Sequence, residues 1–121
     1  MVRATVFAAA ALSAVVACSQ SVRIALQADV PAKVYILGSQ AERTLLPGSA
    51  GHKHLSQWVE ANQSGWRPYP ATPPAIGVVV RAASLDLQFM EHTVLLHSTQ
   101  GLFSKSVEPN EYSFLAAQSG S

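Results

Sequence analysis

The sequence predicts a small single domain of the α+β class. Short runs alternate apolar and polar residues near both ends of the chain, one run between them repeats at helical spacing, and 121 residues leave room for one ordinary domain. Hydrophobic residues make up 49% of the chain and charged residues 12%, about half the fraction usual in soluble domains, so disorder driven by excess charge is excluded and a packed core is expected.

The elements follow in order. Val22, Ile24, Leu26 and Ala28 alternate with Arg23, Ala25 and Gln27, which predicts a half-buried strand that Asp29-Val30-Pro31 breaks. Val34-Tyr35-Ile36-Leu37, closed by Gly38, predicts a second strand able to pair with the first as a hairpin. Ser39 to Ser49 contains Pro47-Gly48 and reads as a connection. Leu55, Trp58, Val59 and Asn62 fall at i, i+3, i+4 and i+7, predicting a helix that starts near Ser49 as its cap and ends before Gly65.

Between Ser64 and Ala75 stand Pro68, Pro70, Pro73 and Pro74, each fixing its own φ and pushing its predecessor to extended geometry, so this stretch is an extended connector. Gly77-Val78-Val79-Val80, the alternating Leu85, Leu87 and Phe89, the pair Val94 and Leu96, and Leu102 to Val107 then predict a meander of three or four antiparallel strands. Glu91-His92 and Gln100-Gly101 suit its turns. Pro109 opens a short closing helix through Leu115, and a polar tail follows at residues 117–121. The expected domain therefore spans residues 22–116, an antiparallel sheet with one main helix and a short C-terminal helix.

The amino end carries a different signal. Arg3 is followed by an uncharged, Ala- and Val-rich stretch from Ala4 to Ala17. About 14 residues at a 1.5 Å rise span about 21 Å, short of the roughly 30 Å a membrane-crossing helix needs, so residues 1–17 read as a cleavable export signal. The lone cysteine, Cys18, stands directly after it and has no partner in the chain for a disulfide. Val15-Val16-Ala17-Cys18 resembles the cleavage and acylation motif of bacterial lipoprotein precursors, although Val is less usual than Leu at its first position.

That resemblance covers roughly the first 20 residues and is silent about the domain behind them. It implies cleavage before Cys18, attachment of diacylglycerol to its sulfur, acylation of the new amino terminus, and a short tether over residues 18–21. It also implies a bacterial cell envelope address, with a membrane partner reached through the lipid anchor. In a Gram-negative cell, Ser19 after the cysteine resembles the pattern sent to the periplasmic face of the outer membrane. The competing readings are an ordinary secretory signal with Cys18 incidental, and a buried amino-terminal helix in a cytosolic protein.

Eight basic against seven acidic side chains become an even balance once Arg3 is removed. No cluster of cations is present to neutralise phosphates, so nucleic acid is not an expected partner. No cofactor is expected either, because the glycines never reach a phosphate-loop spacing.

Among candidate chemical groups, His52-Lys53-His54 places two imidazoles at a spacing compatible with a metal when extended, whereas in a helix the rings diverge by about 200°. His92 and His97 fall in a turn and at a strand end. No nucleophile elbow is present, and Asp86 between Leu85 and Leu87 is expected to point away from the apolar face, so no catalytic residue is assigned.

Trp66-Arg67-Pro68-Tyr69-Pro70 is the most suggestive segment. Trp66, Arg67 and Tyr69 on a proline-stiffened loop have the composition of a binding hot spot, or the two aromatics fold back over the core beside Trp58. The expected function is a lipid-anchored, non-catalytic module for a protein partner in the envelope, of the inhibitor, immunity or accessory-subunit kind. The alternatives are a metal-binding or hydrolytic lipoprotein using its histidines, and a structural tether.

Overall fold

The computed structural model describes residues 22–116. The expected export signal, the expected acylation site Cys18, the expected tether over residues 18–21 and the polar tail lie outside the described residues. Seven strands form one antiparallel sheet: β1 (Ala32–Ile36), β2 (Glu42–Leu45), β3 (Arg67–Pro68), β4 (Val78–Ala82), β5 (Leu85–Met90), β6 (Thr93–Ser98) and β7 (Gly101–Ser106). Their spatial order is β2-β1-β4-β5-β6-β7-β3. With the helix α1 (Ala50–Ala61), the short helix α2 (Pro109–Tyr112) and a 3-10 turn at Ser113–Leu115, the fold is α+β and mostly sheet.

The meander β4 to β7 forms where alternation predicted it, through three two-residue turns. Ala82 pairs with Leu85, Met90 with Thr93 and Ser98 with Gly101. The last turn is therefore Thr99-Gln100, one residue earlier than the expected Gln100-Gly101, with Gly101 as the first residue of β7. Two-residue turns that match strand twist need positive φ, and here Ala83 (52°) and Glu91 (46°) adopt it without being glycine. The left-handed conformation costs an L-residue about 1–2 kcal/mol, against which glycine loses about 0.5–1 kcal/mol in backbone entropy. We expect Ala83→Gly to raise stability by about 0.5 kcal/mol, read as a higher urea midpoint.

The amino-terminal expectation needs correction. Residues 22–28 join no strand ladder, although Val22 and Ile24 are buried and Arg23 is exposed as alternation requires. Their backbone is satisfied by Gln63 instead. Its backbone carbonyl accepts from Val22 N (3.2 Å), its Oε1 accepts from Ile24 N (3.2 Å), and its Nε2 donates to Ile24 O (2.8 Å). Period-2 burial reports one covered face, and here a glutamine amide stands where a neighbouring strand was expected. The hairpin that does form joins β1 to β2, inside the stretch read as a connection, and β1 pairs on its other side with β4.

Helix α1 starts as predicted, with Ser49 at its cap accepting from His52 N at 3.2 Å. It carries the chain from the β2 edge to the opposite edge at β3. Leu55, Trp58 and Val59 from the helix join Val34, Val80, Leu87, Phe89, Val94 and Leu96 from the strands in one core. Trp58 meets Phe89 edge-on at 5.1 Å, and its Nε1 donates to Glu111 Oε1 (3.2 Å). The other oxygen of that carboxylate accepts from Glu108 N (3.0 Å), so one side chain closes the start of α2 and ties it to α1.

The chain then returns from β3 to β4, in the middle of the sheet, across the face opposite the helix. Gln88 identifies that face, since it alternates with the core residues Leu87 and Phe89 and donates from Nε2 to Pro74 O (2.7 Å) and Ile76 O (2.9 Å). Tyr69 N donates to Leu102 O at the start of the crossing, and Leu37 N donates to Gly77 O at its end. Residues 69–76 are thus a strap over β7, β6 and β5. It explains why Val79, Gln88 and Leu95, whose side chains all face away from the helix, are buried.

Candidate protein-binding surface

The strap divides the far face of the sheet into a covered ridge and two open flanks. On the ridge, Arg67, Pro68, Pro70, Ala71, Thr72, Pro74, Ala75 and Ile76 are exposed, while Tyr69 and Pro73 are half-buried. Ile76 is 56% exposed, uncommon for a large aliphatic residue beside a sheet, and it stands next to Gly77 where the strap lands.

One flank is a cleft of about 290 Å³ whose lining includes Tyr35, Leu37, Glu42, Val79 and Arg81. Tyr35 and Val79 are cross-strand partners, and the Arg81 guanidinium lies 5.7 Å from the Tyr35 ring centroid. Lys33 and Glu42 approach to 3.7 Å and Arg81 and Asp86 to 3.5 Å, so this side of the face is an alternating lattice of exposed charges. Such pairs contribute little to stability, and their effect is to keep Lys33 and Arg81, which stand directly opposite each other, from repelling. Asp86 points away from the core as the alternation required.

The other flank is a polar cleft of about 470 Å³ between Gly65, Arg67, Thr93, Ser104, Lys105 and Ser106. Lys105 Nζ donates to Ser64 O (2.6 Å) and lies 5.9 Å from the Trp66 ring centroid. Burial pushes the Lys105 ammonium below the usual lysine range, against the opposing pull of Glu111.

The three residues singled out from the sequence separate. Trp66 is fully buried, donates from Nε1 to Asn62 O (2.8 Å) and meets Trp58 edge-on at 6.4 Å. It is the lid over the core and is out of reach of a partner. Arg67 is exposed on the edge strand β3, opposite Ser104, and Tyr69 is half-buried at the root of the strap. The surface therefore keeps Arg67 and the tyrosine and loses the tryptophan.

The histidines are each occupied locally. His52 is buried in the first turn of α1, and its Nε2 donates to Val30 O at 2.6 Å. His54 points elsewhere and stacks on Phe114 with 3.8 Å between centroids, so the helix separates the two rings as its rotation requires. His92 Nδ1 lies 3.7 Å from Glu108 Oε1 on the surface. His97 Nε2 approaches Gln88 Oε1 at 3.3 Å; both hydrogens of the Gln88 amide go to the strap, so Oε1 accepts and His97 carries its proton on Nε2. No group of three or more His, Cys, Asp or Glu gathers among the described residues.

Gln88 and Ile76 are the residues that sequence reasoning missed. Gln88 is a lone amide between apolar residues, and the uninterrupted apolar runs Val78-Val79-Val80 and Val94-Leu95-Leu96 carry the signal of strands covered on both faces. We expect Gln88→Leu to cost about 2 kcal/mol, because two strap carbonyls lose their donor. Thermolysin cleavage at the Ala75-Ile76 bond should become faster in the variant than in the parent protein. No family model matches the chain, and no curated protein or solved structure matches it either.

Proposed function

We propose that this chain is a lipid-anchored protein of the bacterial cell envelope that works as a non-catalytic protein-binding module, with the strap side of the sheet as its contact surface. The observation that carries this reading is the strap itself. An exposed ridge bearing Arg67, Pro70 and Ile76 is clamped across a sheet by hydrogen bonds from the Gln88 side-chain amide to two strap carbonyls, so a partner meets large, already ordered side chains at low entropic cost. Tyr35 and Arg81 on one flank extend the same surface with the residue types that dominate binding hot spots.

The Val15-Val16-Ala17-Cys18 motif supplies the address. From Cys18 to Val22, the first residue packed in the core, four chain steps reach at most about 14 Å. An acylated Cys18 would therefore hold the body close to the lipid surface and limit it to partners at that surface. Several acyl chains, each stabilised by about 0.8 kcal/mol per buried methylene, make such attachment lasting.

Two measurements test the reading. Metabolic palmitate labelling is expected to disappear in Cys18→Ser, with the chain moving from the membrane to the soluble fraction; labelling that persists overturns the anchor. A photoreactive residue at Ala71 in the full chain is expected to cross-link one stoichiometric envelope protein. Adducts with lipid alone would overturn the binding module in favour of a tether.

A further inference from the structure

We propose that the polar cleft on the flank beside β3 is an anion site, built for a phosphate group carried by a small molecule or by a lipid headgroup. The cleft, of about 470 Å³, brings together two cations, Arg67 and Lys105, and three hydroxyls, those of Thr93, Ser104 and Ser106, with no carboxylate in its lining. Sheet register sets their spacing. Arg67 stands opposite Ser104 and Thr93 opposite Ser106, so these four side chains share one face, with Ser104 and Ser106 about 7 Å apart along β7. Lys105 alternates to the other side of β7, and its stem runs to the sheet edge, where Nζ donates to Ser64 O (2.6 Å) beside Gly65.

These groups are left to a ligand. Among the described residues neither Arg67 nor Lys105 is in an ion pair, in contrast to Lys33 and Arg81 on the opposite flank, which each face an acid. The acid that acts on Lys105 is Glu111, and its two oxygens already accept from Trp58 Nε1 and Glu108 N. Glu108, two residues beyond Ser106, faces His92 at 3.7 Å. The Lys105 ammonium has one of its hydrogens on Ser64 O and two to spare, and the three hydroxyls make no hydrogen bond among the described residues. The burial that pushes this ammonium below the usual lysine range is a cost that an anion in the cleft would offset.

The number of donors selects the ligand. A carboxylate would leave most of them idle, whereas the terminal oxygens of a phosphate can take the guanidinium fork, the ammonium and the hydroxyls together. Two cations suit one phosphate, and a nucleic acid would need a longer row of them. The chain also enters the fold beside the cleft, since Val22 N donates to Gln63 O and the next residue, Ser64, holds Lys105. An acylated Cys18 would keep the cleft close to lipid headgroups, although the site itself depends neither on that anchor nor on a protein partner.

The test follows the amide signals of Ser104, Lys105 and Ser106 by NMR in the full chain held in dodecyl maltoside, a detergent without phosphate. Glycerol 3-phosphate is expected to shift them saturably, with affinity at least about tenfold weaker in Arg67→Ala and in Lys105→Met, which keeps an apolar stem beside Trp66. Lys53→Ala, which removes an exposed cation from α1, is expected to bind as the parent does. Short-chain phosphatidylglycerol distinguishes the source: saturable shifts with this lipid assign the site to a headgroup, and shifts with glycerol 3-phosphate alone assign it to a soluble phosphate ester. Unfolding midpoints are monitored in parallel, and the exposed Arg67 carries the result if Lys105→Met is destabilised. Absence of a saturable shift with both probes, or an affinity that Arg67→Ala leaves unchanged, overturns the proposal.

Discussion

Gly77→Ala is expected to destabilise the domain by about 3 kcal/mol or more, measured as a fall in the urea midpoint. Gly77 has a φ of 95°, and a Cβ built there would lie 2.1 Å from the carbonyl oxygen of Phe89 and 3.1 Å from its carbonyl carbon. Neither atom can yield, because Phe89 is paired with Val78 in the sheet and its ring packs between Trp58 and Tyr112. The glycine is the landing point of the strap, and its own carbonyl accepts from Leu37 N at 2.9 Å. Gly38→Ala is the control. Its φ of 82° brings the same left-handed cost, but nothing lies within 4 Å of the added methyl, so about 1 kcal/mol is expected. Equal losses at the two positions would show that strap and sheet do not meet as closely as described.

Trp66→Ala is the second large effect, with an expected loss of about 3–5 kcal/mol from the cavity it leaves. In a domain of this size each kcal/mol moves the melting temperature by about 4–8 °C, so a fall of more than about 12 °C is expected. The indole fills the fully buried space beside Trp58, and its Nε1 is the donor to Asn62 O at the end of α1. Trp66→Phe keeps most of the packing and deprives that carbonyl of its donor, for a smaller loss of about 1–3 kcal/mol. The neighbouring Arg67→Ala, at an exposed edge position, is expected to stay within about 0.5 kcal/mol of the parent. A melting temperature left unchanged by Trp66→Ala would return that residue to the binding surface.

The contrast between Trp66 and Arg67 shows how far the candidate site was legible. The segment stood out through its composition, and composition states what side chains can do but not which way they face. Adjacent residues in extended chain point to opposite sides, so one of the pair became a lid and the other a ridge. Helical rotation made legible that the His52 and His54 rings diverge, but not that His52 turns inward to be buried against Val30 O, where a solvated position was expected. Strand β2 was hidden because Glu42-Arg43-Thr44-Leu45 buries only Leu45 fully and is otherwise polar, as an edge strand facing water should be.

By itself the sequence determined the α+β class, the helix from its serine cap to the residues before Gly65, a carboxyl-terminal meander of three or four strands, and the extended character of the proline segment. These follow from side-chain period, caps and fixed φ angles, which act within a few residues of one another. Only the tertiary structure decided that residues 22–28 are held by Gln63 rather than by a strand, that β1 stands between β2 and β4, and that the proline segment crosses the sheet as a strap pinned by Gln88. Those outcomes depend on groups brought together from as far as 48 positions apart in the chain, as Lys33 and Arg81 are, and no local pattern records which distant amide will satisfy a given carbonyl.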